Sequence, residues 1–543
     1  MSAAQPNLID LTGPHAPVAE VCALLRAAGG RPLLVGGCVR DALLGLPIGE
    51  IDIEVFGLGT RQVETALRRR FGIVTVGAAF GVTKVKDHPI DVSVPRRENR
   101  TGAKHTDFDV RADPTMTPKD AAERRDFTAN AILWDPATGE LIDPWGGVAD
   151  LKARRLRHVS DKFAEDPLRV LRAMQFAARF EFSVAPETIA LCATLSQADL
   201  PPERLMEEWT KLLLRGRKPS VGLNVLKDCG WTKFYPELHA MIGVPQDPEW
   251  HPEGDVWNHT LECLDAYAKE RLGDRDEDLI IGLSVLLHDI GKATTTKREE
   301  KDNRWHAYGH EEESHRLAPT MLARITREAK LIEAVLPLVR WHAQPYELFK
   351  AKAGDAAVRR LANKVVRLDR LIRVDSADRK GRGAAWRSEP SPQGVWLAER
   401  AAVPSLLLQP CLQLLSEYAA QCLWLNLIEN RPHQPAAGQS DQNRKQGHWD
   451  APKVSKQPRL KLFQDGCSLF HKSIPVVNKA LTLMGEKTGA YDVVITDDYS
   501  VFTAQKLRQF DAVCLNNTTG LKFDPQETPE RCKALMDFVK SGK

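Results

Sequence analysis

Hydrophobic and polar positions change period sharply between residues 33 and 56. An apolar run at 33–35 breaks at Gly36 and Gly37, passes into a short amphipathic turn carrying Arg40 and Asp41, and resumes as a strand at 51–55 after a Gly-Leu-Pro turn. In that strand Ile51, Ile53 and Val55 alternate with Glu50, Asp52 and Glu54, so a period of two sends the aliphatics to one face and the acids to the other. Residues 17–29 read as a short helix closed by two glycines and 61–70 as another, with short strands around 74–76, 81–85 and 90–94. Helices interleaved with short strands predict a mixed α/β head. Further on, 165–180 (EDPLRVLRAMQFAARF) reads as an amphipathic helix with Pro167 in its first turn and Asp166, Arg169 and Arg172 spaced by three on one face. The stretch 185–245 continues as amphipathic helices, and the apolar run 279–287 ends in His288–Asp289.

Several of these elements carry candidate chemistry. Acids two apart on a strand stand roughly 6–7 Å apart. That spacing suits one divalent ion or a pair, and it equally suits an exposed acidic edge. The side-chain-free Gly-Gly turn just upstream favours the first reading, because it lets a metal-bound triphosphate approach. Asp91 is a third strand acid that either completes such a site or is solvated. The basic run RRENRTGAK at 96–104 reads as a mobile loop near phosphates. In RRDFTANA at 124–131, Asp126 is placed to cap or to orient its neighbours, while Arg124 and Arg125 can take phosphate oxygens bidentately. Histidines gather downstream: His251, His259, the HDIGK run at 288–292, His310, His315 and His342. His288–Asp289, with His259 upstream and an acid downstream, offer nitrogen and oxygen ligands for a borderline divalent metal.

Composition narrows the class. A chain of 543 residues holds several domains, and 43% hydrophobic with 27% charged residues is ordinary for a globular protein. A net charge of +3 means that any nucleic acid is held by local basic patches. Ten cysteines without a C-x-x-C pair read as free thiols of a reducing cytoplasm. The N-terminus lacks a signal-peptide pattern, and the most apolar stretch, 406–428, is broken by Pro410, Glu417 and glutamines. The expectation is a cytoplasmic monomer or homodimer without a membrane partner.

The ordered motifs GGCVRD, EIDIEV, RRDFTANA and EDPLRVLR resemble the class II CCA-adding enzymes of the polymerase-β-like superfamily over about residues 32–400. Bacterial poly(A) polymerases share this head. The resemblance implies an α+β fold: a nucleotidyltransferase head with a small mixed sheet (1–155), an all-α neck (156–245) and an all-α HD domain (246–403). It implies template-independent addition of C, C and A to tRNA 3′ ends from CTP and ATP, with Mg²⁺. Glu50 and Asp52 match the family's catalytic metal pair, although the first acid is usually Asp, and Glu54 can share the load. Gly37 and Arg40 match the nucleotide-contacting turn, Arg125 the arginine before DFT, and Asp166, Arg169 and Arg172 the nucleotide-recognition helix. The family often has a basic residue where Gln175 stands.

The Asp166–Arg169 match also has a chemical rationale. C and A both present an exocyclic amine beside a ring-nitrogen acceptor, the complement of a carboxylate beside a guanidinium. G and U present the reverse, and each mispaired buried polar group costs about 1–3 kcal/mol.

The LLHDIGK stretch resembles an HD phosphohydrolase domain, which implies phosphatase, 2′-nucleotidase or 2′,3′-cyclic phosphodiesterase activity. His259, His288, Asp289 and Asp378 match its ligands, with His310 and His315 as second choices and Mg²⁺, Mn²⁺ or Ni²⁺ as the metal. The alternatives are a poly(A)-adding enzyme and a transfer-deficient, tRNA-binding metal phosphohydrolase. Residues 404–458 read as an irregular linker, disordered from 430. Residues 459–543 resemble the start of a ThuA-like domain with strands at 460–463, 493–495 and 512–515. Part of a doubly wound sheet cannot cover both of its faces, which points to a gene fusion or a misjoined reading frame.

Overall fold

The computed structural model describes residues 8–76, 82–100, 108–197, 200–383, 386 and 390–401, and the strands Arg459–Gln464, Asp492–Thr496 and Ala512–Asn516. The first elements are α1 (Ala16–Ala27), β1 (Arg31–Val35), α2 (Gly37–Leu43), β2 (Ile51–Phe56), α3 (Thr60–Leu67), β3 (Ile73–Val76), β4 (Val82–Val85) and β5 (Ile90–Ser93). A two-stranded ribbon, β6 (Arg96–Arg100) with β7 (Phe108–Ala112), then leads to α4 (Pro118–Glu123), β8 (Leu133–Trp134), β9 (Leu141–Ile142) and α5 (Gly147–Lys152). Seven strands form one sheet in the order β3-β4-β5-β2-β1-β8-β9. Only β2 and β5 run parallel within it, so the sheet is mixed, as expected. Ile51, Ile53 and Val55 are fully buried, as are Leu33 and Leu34 on the neighbouring strand.

Two local expectations are corrected. The basic stretch from residue 96 does not begin as a mobile loop: Arg96–Arg100 pairs antiparallel with β7, Arg97 opposite Arg111. A ladder consumes backbone groups, so charged side chains do not prevent it. Arg97 Nε also donates to Asp113 Oδ2 at 2.7 Å. Residues 101–104 lie outside the described residues. The turn carrying Arg40 is a helix, α2.

Helices follow: α6 (Leu168–Phe180), α7 (Pro186–Ala193), α8 (Pro202–Arg215), α9 (Pro219–Asp228) and α10 (Pro236–His239). The last four all open on proline, whose fixed φ and missing N–H suit the first helical position. On α8, Leu205, Trp209, Leu212 and Leu213 are buried, an i, i+4, i+7, i+8 stripe. The next group is α11 (Val256–Lys269), α12 (Arg275–Leu287), α13 (Lys292–Thr295), α14 (His310–Ile325), α15 (Ala329–Trp341), α16 (Gln344–Lys350), α17 (Asp355–Val365) and α18 (Leu368–Gly381). Asp255 and Asp274 cap α11 and α12 through their carboxylates. Every residue of α12 from Asp278 to Leu287 is buried, as befits a central helix.

Buried polar ties join the neck to this last group. Ser220 donates to Asp265 through its N–H at 2.9 Å and its hydroxyl at 2.6 Å. Arg271 donates to the carbonyls of Leu213 and Gly216, each at 2.9 Å. Residues 1–398 form one unit and 399–543 a second. In the second, the three strands are parallel with Arg459–Gln464 in the middle, and they overlap the expected positions. The expected linker at 404–458 and, apart from 399–401 and these strands, the remainder of the second unit lie outside the described residues. Among the described residues no helix is long and apolar enough to cross a membrane. The described cysteines 22, 38, 192, 229 and 263 are free and buried, and burial pushes the thiols of Cys22 and Cys192 up to about 12.

The start of α5 is tightly seated. A Cβ on Gly147 would stand 2.1 Å from the Thr128 carbonyl oxygen, next to the RRDFTANA turn. Gly147→Ala should therefore cost about 3 kcal/mol, read as a lower melting temperature of the head in a thermal scan.

Candidate functional site

The parallel pairing of β2 with β5 sets Asp52 opposite Asp91, with Glu50 one residue before β2. Lys84 on β4 faces Asp91 and holds its Oδ2 at 2.6 Å. Crowding by protein raises the Asp52 carboxyl above its usual range, and the charges of Asp91 and Glu50 push the same way against Arg125. Concentrated negative charge of this kind, built from oxygen donors, fits a hard divalent ion.

Glu54 does not share that load. It is fully buried, with Arg124 at 3.3 Å and Arg125 at 3.6 Å from its carboxylate. The alternation of β2 is real, but two arginines cover the far end of its acidic face.

Those arginines lead to the glycine turn. Gly36 sits at φ +74°, and a Cβ on it would lie 2.8 Å from Arg125 Nη1. The strict backbone requirement therefore falls on Gly36; a Cβ on Gly37 would meet only Arg40 Nη2, at 3.7 Å. Arg40, expected at the nucleotide-contacting turn, is held among buried partners. It is 5% exposed, with Nε donating to Asp41 Oδ1 at 2.8 Å and Nη1 to Asn130 Oδ1 at 2.6 Å. Its guanidinium also lies against the rings of Phe176 and Phe180. Arg40 is a strut between α2, the 124–131 segment and α6, its planar fork spent on buried partners.

Asp126 orients its neighbours as expected, accepting from Phe127 N–H at 2.7 Å, Asn130 Nδ2 at 2.8 Å and Arg172 Nε at 2.7 Å. Burial would raise its carboxyl, but the Arg172 charge and the Asn130 hydrogen bond hold it down to about 2.

A cavity of about 400 Å³ is lined by Arg124, Arg125, Asp166, Arg169 and Arg172, together with Arg204 and Lys211 from α8. Asp166 does not share a helical face with the arginines, because α6 begins only at Leu168. Its Oδ1 accepts the Leu168 N–H at 3.1 Å, and its Oδ2 accepts from Arg204 Nη2 at 2.8 Å. Arg169 donates to the carbonyls of Lys162 and Arg124, both at 2.6 Å. Asp166 and Arg169 thus share one cavity, each anchored to other partners. Arg204 was missed by sequence reasoning, since a partner 38 residues from Asp166 leaves no local spacing to read.

A second constellation lies among α11, α12, α14, α15 and α18. His288, His310 and His342 each turn Nδ1 to a carbonyl, of Val285, Ala307 and Val339, at 2.7–2.8 Å. A carbonyl only accepts, so Nδ1 carries a proton, and in the neutral imidazole Nε2 keeps the lone pair. His259 is held the same way by Glu253 at 2.7 Å. The four Nε2 atoms surround Asp289. Its Oδ2 is 3.6 Å from His259 and 3.3 Å from His288; its Oδ1 is 3.4 Å from His310 and 3.7 Å from His342. Asp378 Oδ1 stands 3.1 Å from His259 Nε2.

The expected set His259, His288, Asp289 and Asp378 is therefore brought together, and His310 joins it. His342 was not named as a ligand. His315 is turned away toward the Leu336 carbonyl, 3.3 Å from it. It follows His310 by five residues, about 140° around the helix. The neighbouring groups fit a metal: His288 Nε2 and both Asp289 oxygens are buried without a hydrogen bond, though Lys292 Nζ lies 2.7 Å from Oδ2 as a counter-charge. Burial above all lowers His342 to about 3, so it is neutral as a ligand must be.

Comparison with known proteins follows this geometry. Residues 33–157 match the model of the poly A polymerase head domain, 181–242 a probable RNA- and SrmB-binding site of polymerase A, and 256–379 the HD domain. A multifunctional CCA protein of Halorhodospira halophila is 36% identical over 65% of this chain and 85% of its own length. One of Nitrosococcus oceani is 37% identical over 68% of this chain and 89% of its own. The fold is shared with the CCA-adding enzyme of Bacillus stearothermophilus solved with CTP, at TM-score 0.50 and 22% identity, covering 72% of this chain and 84% of that one. The chain belongs to the multifunctional CCA proteins, nucleotidyltransferases that carry an HD domain.

Proposed function

We propose that the head adds C, C and A to tRNA 3′ ends from CTP and ATP, and that the HD centre hydrolyses phosphate esters. The observation that carries the first reading is the place of Arg125. It stands over Gly36, pairs with Glu54, lines the 400 Å³ cavity and bears electrostatically on Asp52. One side chain thus links the acid cluster, the glycine turn and the arginine cavity.

Divalent ions, Mg²⁺ by the chemistry of the donors, would be held by Glu50, Asp52 and Asp91 and would neutralise charge at the α-phosphate and the leaving pyrophosphate. The backbone at Gly36 lets the triphosphate come close, and Arg125 offers it a planar fork. Asp166 and Arg169 read the base. Each Asp166 oxygen has a second lone pair, and Arg169 has N–H groups beyond the two in use, so a base can be paired without breaking their anchors. Arg172 and Asp126 hold α6 in place. In the HD centre, His259, His288, Asp289 and Asp378 would hold one divalent ion and Asp289, His310 and His342 a second. Lys292 and Arg382 add positive charge for a phosphate.

A tRNA ending at the discriminator base, incubated with the protein, CTP and ATP, should be extended by CCA and stop. Long tails from ATP alone would overturn the assignment in favour of poly(A) addition. Transfer seen only after Glu50→Asp would mark the native head as transfer-deficient.

A further inference from the structure

We infer that Cys263 is a thiolate ligand of the ion held by His259, His288 and Asp378, giving this centre a nitrogen–oxygen–sulfur donor set. The inference rests on the HD metal centre proposed above and concerns which metal it selects.

Cys263 follows His259 by one helical turn on α11, so both side chains leave the same face. Its Sγ lies 3.4 Å from His259 Nε2, and ligand atoms of His259, Cys263, His288 and Asp378 all fall within 4.8 Å of one another. The site is built around the sulfur. Cys263 is fully buried at the crossing of α11 with α18, and a Cβ on Gly381 would stand 2.2 Å from Sγ. The space that accommodates the thiol exists because residue 381 has no side chain. The second observation is independent of the cysteine: His288 Nε2 is buried, has no hydrogen bond and opens on the same group.

A thiolate changes the choice of metal. Sulfur binds Zn²⁺, Co²⁺ and Ni²⁺ well, whereas Mg²⁺ keeps to oxygen and water. On binding, the thiol proton is released to solvent and the sulfur lone pair is donated to the ion, so no oxidant or reductant is required. The ion on the other side of Asp289, beside His310 and His342, has no sulfur among its described neighbours. The two halves of the centre should therefore differ in metal preference.

The test uses the full chain stripped of metal and titrated with Co²⁺. Visible d–d bands report an ion in the His/Asp centre; a near-ultraviolet thiolate-to-cobalt charge-transfer band reports sulfur ligation. Both should appear with the first equivalent. In Cys263→Ser the charge-transfer band should vanish while the d–d bands persist, and Zn²⁺ affinity should fall at least tenfold. Bands in the visible alone would leave the HD centre standing and refute the thiolate, as would a charge-transfer band that survives in Cys263→Ser. Absence of all bands would refute both. X-ray absorption on the native chain with one equivalent of Zn²⁺ needs no variant. One sulfur scatterer at about 2.3 Å supports the ligand, and a shell of nitrogen and oxygen only overturns it.

Discussion

Asp52→Asn should lower CTP and ATP incorporation into tRNA by about 1,000-fold, equivalent to about 4 kcal/mol of transition-state stabilisation. Hydrolysis at the HD centre should stay within twofold. The size follows from position: Asp52 is the middle acid of the three, opposite Asp91 and two residues from Glu50, and no neighbour replaces it because Glu54 is committed to Arg124 and Arg125. Stability should move the other way. The Asp52 carboxyl is raised by crowding and by like charges, so the folded head binds its proton more tightly than the unfolded chain does. Ionisation at neutral pH then costs stability, a cost present above the folded pKa and relieved as pH falls through it. Asparagine removes that cost, and the metal-free variant should melt no lower than the native chain. Inactivity with a lower melting temperature would sink the assignment, because the loss would then be one of folding. Glu50→Asp, by contrast, should leave transfer within tenfold.

Asp289→Asn should release metal from the HD centre and cut phosphate-ester hydrolysis by about 1,000-fold, with CCA addition within twofold. Its two oxygens face different histidine pairs, Oδ2 toward His259 and His288 and Oδ1 toward His310 and His342. One substitution thus disturbs both halves, whereas His342→Ala should remove only the ion of its own half. Metal analysis of the purified variants checks this as none, one and two ions per chain for Asp289→Asn, His342→Ala and the native protein. Prolonged chelation of the native protein should reproduce the Asp289→Asn hydrolysis defect. If His342→Ala retained both ions, the division of the centre at Asp289 would be wrong.

Much of this architecture was legible because its signals are local. The period-two pattern of 51–55 marked the central strand, the amphipathic spacing of 185–245 announced helices, and His288–Asp289 closed a run too apolar to be a surface helix. Most of the failures share a cause, which is that the partner lay far away in sequence. Glu54 looked like its neighbours on the strand until Arg124 and Arg125 covered it. The partners of Arg40, namely Asn130, Phe176 and Phe180, were equally out of local reach. Asp166 was placed on the helix because spacing by three fits a helix, yet α6 begins at Leu168, after Pro167, and Asp166 stays extended. His315 and His342 changed places because the choice depends on how α14 and α15 are rotated, and neither helix records that in its own pattern. Arg204 came from the neck, with no motif to announce it.

The ties of Ser220 to Asp265 and of Arg271 to the end of α8 stitch the helices beside the base-reading cavity to those that carry the HD centre. Synthesis and hydrolysis are therefore mounted on one continuous frame.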